Sequence, residues 1–211
     1  MSPDTEEPGL RERKRLATRR AIQHAVLSLS LQTGLEKVTV EDISRAASIS
    51  PRTFFNYFPS KDAALLGDTP DLASEEAIEA FVHGGPDGDI LGQVAVLLAE
   101  SLERSETDRE IHQLRQAVLK DSTYLFGLRM ATLRDFEARL LDIVTRRFEA
   151  DHPERSGTPG LAQRALLFSL VAVAAMRHAW RCWAEEDSAT SLSDSLASSF
   201  SELYNFTRPT G

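Results

Sequence analysis

Val38-Thr-Val-Glu-Asp-Ile-Ser-Arg-Ala-Ala-Ser-Ile-Ser-Pro-Arg-Thr-Phe-Phe-Asn-Tyr-Phe-Pro-Ser-Lys61 decides how the rest of this 211-residue chain is read. Thr39 can cap the backbone N–H of Asp42, whose carboxylate falls in the first turn, near the positive end of the helix dipole. A helix is therefore expected from about Val40 to Ala47. Ser50 repeats the capping signal, and Pro51 takes the first helical position, where no N–H is missed and the fixed φ already suits a helix. Ile43, Ala46, Ala47 and Ile49 are small or branched, and would let two helices cross closely about a short turn. Pro59 stops the second helix after Phe58, and Ser60 with Asp62 opens a third. Two short helices about a tight turn make a helix-turn-helix, the form whose second helix enters the major groove of DNA.

The charge supports this once it is divided along the chain. The formal total is −8, but Leu10 to Lys61 holds ten Lys/Arg and four Asp/Glu, leaving 14 basic and 28 acidic residues elsewhere. A positive module on a negative body is drawn to a phosphate backbone in one orientation, because its basic part displaces counterions and its acidic part is repelled. Ahead of the motif, Arg11-Glu-Arg-Lys-Arg-Leu-Ala-Thr-Arg-Arg20 leads into Ile22, Ala25, Val26 and Leu29 at helical spacing. One helix is expected there, closed by Gly34. Basic residues at its start oppose the dipole, so Arg11 to Arg15 read either as a solvated face or as a stretch that settles beside phosphates. Residues 1–9, with two prolines and three acids, read as a flexible tail.

Ser50-Pro-Arg-Thr-Phe-Phe-Asn-Tyr-Phe-Pro-Ser-Lys-Asp-Ala-Ala-Leu65 resembles the recognition helix and following turn of TetR-family transcriptional regulators, and its Phe-Phe-Asn-Tyr-Phe core looks like actinobacterial members. The match is specific over about the first quarter of the chain. The resemblance implies an all-α fold: a three-helix, homeodomain-like helix-turn-helix module over residues 10–60, and a larger helical domain over residues 61–211 that binds a ligand and dimerises. A double-stranded operator would be met by Thr39, Ser50, Pro51, Arg52, Thr53, Phe55, Asn56, Tyr57 and Lys61. Ser50, Arg52, Thr53 and Asn56 lead into the groove, where an arginine can fork onto guanine O6 and N7 and a threonine can touch a thymine methyl. Tyr57, Lys61 and Thr39 match phosphate-contacting positions in the family. Where the family usually has Tyr this chain has Phe55, which lacks the hydroxyl, so Asn56 or Tyr57 would take over that bond. Phe54 and Phe58, by spacing, read as core of the module.

Farther along, helices are expected from Lys61 to about Asp68, with Gly67 and Pro70 marking a bend, then over Leu72 to Val82, Ile90 to Leu102 and around Ile111 to Val118. Another starts near Asp121-Ser122 and carries Phe126, Met130, Leu133, Leu140 and Val144 on one side. His152 to Gly160, with two prolines and two glycines, reads as the longest loop. Leu161 to Ala184 reads as a helix with Ser169, Val173, Met176, Trp180 and Trp183 on one stripe. Leu192, Leu196, Leu203 and Phe206 give the last helix a heptad-like spacing that suits a partner helix. These two resemble the family's dimerisation pair, so a homodimer through them is expected; the alternative is an intramolecular core. The resemblance also places a small-molecule site among the middle helices. Its candidate contacts are Phe126, Arg129, Met130, Phe168, Met176, His178, Trp180 and Trp183, each of which alone is more often packing than ligand contact. A mostly apolar wall favours a lipophilic effector, an acyl-CoA or similar, with an anionic head paired to Arg129.

Other chemistries find little purchase. His178 and Cys182 lie four apart and could offer a metal two ligands, but no further Cys or His accompanies them, and they read as a core pair. No Gly-rich phosphate loop, nucleophile elbow or Ser/His/Asp pattern is present, so neither an enzyme nor a cofactor is expected. A single cysteine and no basic-then-apolar leader point to the cytoplasm. Ala165 to Met176, the longest uncharged apolar run, is shorter than the roughly 20 residues needed to cross a bilayer, so no membrane partner is expected. The reading that emerges is a ligand-responsive, dimeric transcriptional regulator, most simply a repressor. The alternative is a ligand-independent dimeric DNA-binding or scaffolding protein.

Overall fold

The computed structural model describes residues 9–67, 72–85, 89–103, 108–185 and 190–207. Of the tail expected at residues 1–9, residues 1–8 lie outside them, as do Pro70 and Pro86. Among the described residues there is no strand. Ten α-helices follow one another in the described residues: α1 Leu10–Thr33, α2 Val40–Ala46, α3 Pro51–Tyr57, α4 Lys61–Leu66, α5 Glu75–Val82, α6 Ile90–Glu103, α7 Arg109–Asp121, α8 Thr123–Asp151, α9 Pro159–Glu185 and α10 Leu192–Thr207. Single 3-10 turns stand at Leu35–Lys37 and Pro153–Arg155. The all-α expectation holds.

Boundaries follow local chemistry. Gly34 ends α1 at φ 84, a conformation glycine alone enters without a Cβ penalty. Ser50, Ser60 and Ser74 each accept a bond from the backbone N–H three residues on, starting α3, α4 and α5. The Ser74 cap explains why α5 opens at Glu75 rather than at Leu72. The expected long loop at His152 to Gly160 is shorter, because Pro153 and Pro159 each begin a helical turn instead of interrupting one.

Of the described residues, those of Met1–Asp68 and Glu110–Gly127 form one compact unit, and those of Thr69–Arg109 and Leu128–Gly211 form a second. In the first, α1 packs on α2 and α4 around Ile22, Val26, Leu27, Ile43, Phe54, Phe58, Ala64 and Leu65, all nearly inaccessible to water. Much of α7 and the start of α8 belong here. Arg115 donates to the Leu65 carbonyl at 2.8 Å, and Tyr124 donates to an Asp62 carboxylate oxygen at 3.1 Å, which raises the phenol's pKa. Two expected placements shift. Ala46 is exposed, and Ser44 turns inward with its hydroxyl buried and unbonded. On α8 the buried side chain is Leu125, while Phe126 is exposed.

The second unit is cored by α5, α6, the body of α8, α9 and α10, with Phe81, Leu97, Leu98, Phe136, Leu140, Val144, Val173, Met176, Leu196 and Phe200 at its centre. The apolar stripe of α10 is not the one expected. Leu192, Ser195, Leu196, Ser199 and Phe200 face inward, Leu203 is half-buried, and Phe206 is 82 % exposed. His178 and Cys182 also differ from a core pair. His178 is exposed, bonded to Ser199 Oγ at 2.9 Å, and Cys182 is half-buried beside it. By length and composition α9 could cross a membrane, but Leu161, Ala165, Ser169, Ala172, Val173, Met176, Ala179 and Trp183 bury one of its faces in protein.

Arg147 lies at the heart of this unit with none of its surface exposed. Its guanidinium donates to Asp151 at 2.7 Å, to Gln93 Oε1 at 2.7 Å, to the Gly85 carbonyl at 2.6 Å and to the Phe81 carbonyl. The Phe81 carbonyl at the end of α5 and the Gly85 carbonyl just beyond it thus meet a cation, the charge that end of a helix dipole prefers. Gly84 lets the arginine approach, since a Cβ there would lie 2.5 Å from Arg147 Nη1 and 2.6 Å from Gln93 Oε1.

Candidate nucleic-acid interface

The frame of the interface is fixed by reciprocal caps. The Asp42 N–H donates to Thr39 Oγ1 at 3.2 Å, and the Thr39 N–H and hydroxyl donate to Asp42 Oδ2 at 3.3 and 2.6 Å. Two orphan donors of the α2 end are satisfied at once. The Thr39 hydroxyl, then its N–H, then Arg45, hold the Asp42 carboxyl below the usual aspartate range. The turn is closed by Ala47 N–H to the Ile43 carbonyl, Ser48 N–H to the Arg45 carbonyl and Ile49 N–H to the Ser44 carbonyl. Ser48 sits at φ 54, the left-handed region that costs a non-glycine residue.

From that turn α3 runs with two faces. Phe54 is wholly buried, with its ring edge-on to Phe55 at 5.4 Å and tilted against Phe58 at 6.3 Å. Such contacts lock the helix by its inner side. On the outer side Pro51, Arg52, Phe55 and Asn56 are exposed, Phe55 by 56 %. Thr53 and Tyr57 are half-buried. Ser50 is exposed but engaged, its Oγ 2.8 Å from Thr53 Oγ1 and accepting the Thr53 N–H at 3.0 Å. Both hydroxyls serve the helix start, which leaves Arg52 and Asn56 as the long polar groups on the exposed face of α3.

Lys61 differs from a free phosphate contact. Its half-buried ammonium donates to the Leu35 and Val38 carbonyls at 3.0 and 3.2 Å, tying the start of α4 to the chain ahead of α2. Sequence reasoning missed Arg19, whose guanidinium lies 4.2 Å from the Phe58 ring centroid and 3.4 Å from the Tyr57 carbonyl. The basic run of α1 was visible as charge; that one of its cations braces the end of α3 was not, because the partners are 38 residues apart.

The side chains expected around an effector are scattered more widely. Met176 and Trp183 are buried in the second core, and Phe168 and Trp180 pack against it half-buried. Phe168 meets Phe148 edge-on at 5.7 Å, and Trp180 meets Trp183 at 5.5 Å. Met130 and Arg129 are half-buried on α8, His178 is exposed, and Phe126 is exposed within the first unit. Among the described residues no cluster of three or more His, Cys, Asp or Glu could hold a metal.

With that geometry in place, the comparisons bear on the same residues. A family model described as bacterial regulatory proteins, tetR family, matches residues 24–66, which run from mid-α1 to the end of α4. The HTH-type transcriptional regulator TcmR of Streptomyces glaucescens is 31 % identical over 156 residues, covering 68 % of this chain. The chain spans about two thirds of that relative, 66 %. MftR of Mycobacterium tuberculosis, named for transcriptional regulation of mycofactocin biosynthesis, is 27 % identical over 191 residues, 89 % of this chain and 90 % of the relative. Among solved structures, FadR of Thermus thermophilus, a TetR-family repressor in complex with lauroyl-CoA, covers 92 % of this chain and 96 % of its own at 18 % identity and a TM-score of 0.47. An overlap that loose says nothing of what this chain binds. The family match falls on the capped helices, the tight turn and the outward-facing Arg52 and Asn56, and the relatives are regulators rather than enzymes; the chain is a member of the TetR family of transcriptional regulators.

Proposed function

We propose that the chain works as a homodimeric repressor that reads a palindromic operator with two copies of α3 and releases it when a small lipophilic effector occupies the second unit. The observation that carries this reading is α3 itself. Its inner side is fixed by Phe54 and Phe58 while Arg52 and Asn56 stand in solvent, so two readers are presented on a rigid support. Phosphate contacts come from Thr39, Tyr57 and the cations of α1; base choice comes from Arg52, with Thr53 and Asn56 beside it.

Dimerisation is supported by the outer face of α9. Leu166, Leu167 and Leu170 are 46, 65 and 47 % exposed on the side away from the buried stripe. Contiguous apolar surface of that kind is covered in a functioning protein, and α9 and α10 of a second copy would cover it about a two-fold axis that matches the operator's own. The half-buried aromatic and methionine side chains of the second unit support a lipophilic effector, and a family whose members act on the chromosome supports a cytoplasmic location. Effector and operator then oppose each other through one coupling free energy, so each lowers affinity for the other by the same factor.

Selection of bound DNA from a random pool tests the reading, repeated with fatty acids, acyl-CoA thioesters and neutral lipophiles present. The expected result is an inverted repeat with half-sites about one helical turn apart, depleted by one class of compound. Recovery of single half-sites would break the dimer. Indifference to every compound would favour a ligand-independent DNA-binding protein.

A further inference from the structure

Helix α8 carries five arginines, and four have an evident place. Arg134 and Arg139 face water, Arg146 pairs with Glu79, and Arg147 is buried with a full set of partners. Arg129 fits neither pattern. It is half-buried, it has no hydrogen bond or ion pair among the described residues, and withdrawal from water pulls its pKa below the ordinary arginine value.

Its position on the helix deepens the anomaly. Arg129 and Arg147 are eighteen positions apart, five turns at about 3.6 residues each, so they leave the helix in the same direction. Between them, Leu133, Phe136, Leu140 and Ile143 fall within about 40° of that direction. Phe136, Leu140 and Ile143 are 1, 0 and 4 % exposed, and Leu133 packs against the same core. Arg129 therefore stands on the inward stripe of α8, where Arg147 is matched by Asp151, Gln93 and two carbonyls and Arg129 is matched by nothing among the described residues. A guanidinium taken from water without a counter-ion is unfavourable and gains most from a planar oxyanion that can meet its fork.

We infer that Arg129 is the receptor for an oxyanion, a carboxylate or phosphate borne by the effector of the second unit. The inference rests on the reading that this unit binds an effector, and it gives the anionic head expected from the sequence a structural ground: a half-buried guanidinium on an inward stripe with no bonded partner among the described residues.

The test uses the full chain, wild type and Arg129→Met, melted alone and with dodecanoate, dodecyl phosphate or the neutral 1-dodecanol. Without ligand, R129M should melt no lower than wild type, because it loses an unmatched charge and keeps the side-chain volume. At a hundredfold excess over Kd, an anion should raise the wild-type melting temperature by roughly 5–10 °C. That shift should vanish in R129M and partly return in Arg129→Lys, with any 1-dodecanol shift equal in all three. A lower melting temperature for ligand-free R129M would assign Arg129 to packing and overturn the inference, as would anion shifts of equal size in both proteins. Stabilisation by 1-dodecanol that neither anion exceeds would leave the effector reading standing and remove the anion. Silence from all three compounds would take both down.

Discussion

Arg52 stands in solvent on a helix that two buried phenylalanines hold still, whereas Arg147 is itself buried and holds the end of one helix and the loop beyond it. In the first unit the fold is made by apolar packing and short-range caps, braced by half-buried cations such as Lys61 and Arg115, and Arg52 and Asn56 are left in solvent. In the second, the framework cation is wholly buried. The difference teaches that exposure and partners, rather than residue type, separate an arginine that recognises from one that supports. Arg129 is informative because it is half-buried on the same side of its helix as Arg147 and yet, like Arg52, has no bonded partner among the described residues.

The largest expected effect tests the supporting arginine. Arg147→Met should cost about 3–5 kcal/mol of unfolding free energy, because Asp151 and the Phe81 and Gly85 carbonyls lose their partner inside the protein. Urea unfolding reads this as a lower midpoint. A double replacement, Arg147→Met with Asp151→Leu, should recover much of the loss, and failure to recover would mean that the carbonyls rather than the ion pair dominate. Arg52→Ala sharpens the other side of the comparison. It should weaken binding to the selected operator by about 1–3 kcal/mol and relax choice at one base pair. The urea midpoint should not move. Uniform weakening on every sequence would make Arg52 a phosphate contact.

Smaller effects probe the frame around α3. Ser48→Gly should raise stability by about 1 kcal/mol, since glycine occupies the left-handed turn without a Cβ penalty. A loss would mean that the Ser48 side chain contributes something its backbone strain conceals. The smallest effect concerns acid. Asp42 has a folded pKa below its unfolded value, so the capping box contributes stability that is complete above the unfolded value, about 3.9, and is lost as pH falls through the folded one. Asp42→Asn should therefore flatten the stability profile below about pH 4 and leave its slope above pH 6 unchanged. A melting series across that range checks it.

How much was legible in the sequence tracks the distance between partners. Thr39, Ser50 with Pro51, and Ser60 announce α2, α3 and α4 because each cap acts on a backbone N–H three residues away. Phe54 and Phe58 were readable as core from spacing within one short helix. Arg147 was not, because its partners besides Asp151 lie 54 to 66 residues earlier, and nothing local marks it as inward. Lys61 looked like a phosphate contact from its place in the motif, although a 3-10 turn 26 residues upstream supplies acceptors for its ammonium. Phe126 reads as inward in the sequence because Leu125 and Phe126 satisfy a helical period almost equally well, and only tertiary packing chooses between neighbours. The effector residues were the least legible, since buried aromatic and methionine side chains look alike whether they border a core or a ligand.

Gly84 has a consequence for anyone recombining this protein with its relatives. No left-handed backbone demands glycine there; the vacancy at its Cβ is filled by the tip of Arg147 and the amide of Gln93. Positions 84, 93 and 147 thus form a single unit spread over the loop after α5, α6 and α8. A chimera with a crossover between α6 and α8 takes 84 and 93 from one parent and 147 from the other, so a parent with a side chain at position 84 will place a methyl group where the guanidinium has to lie.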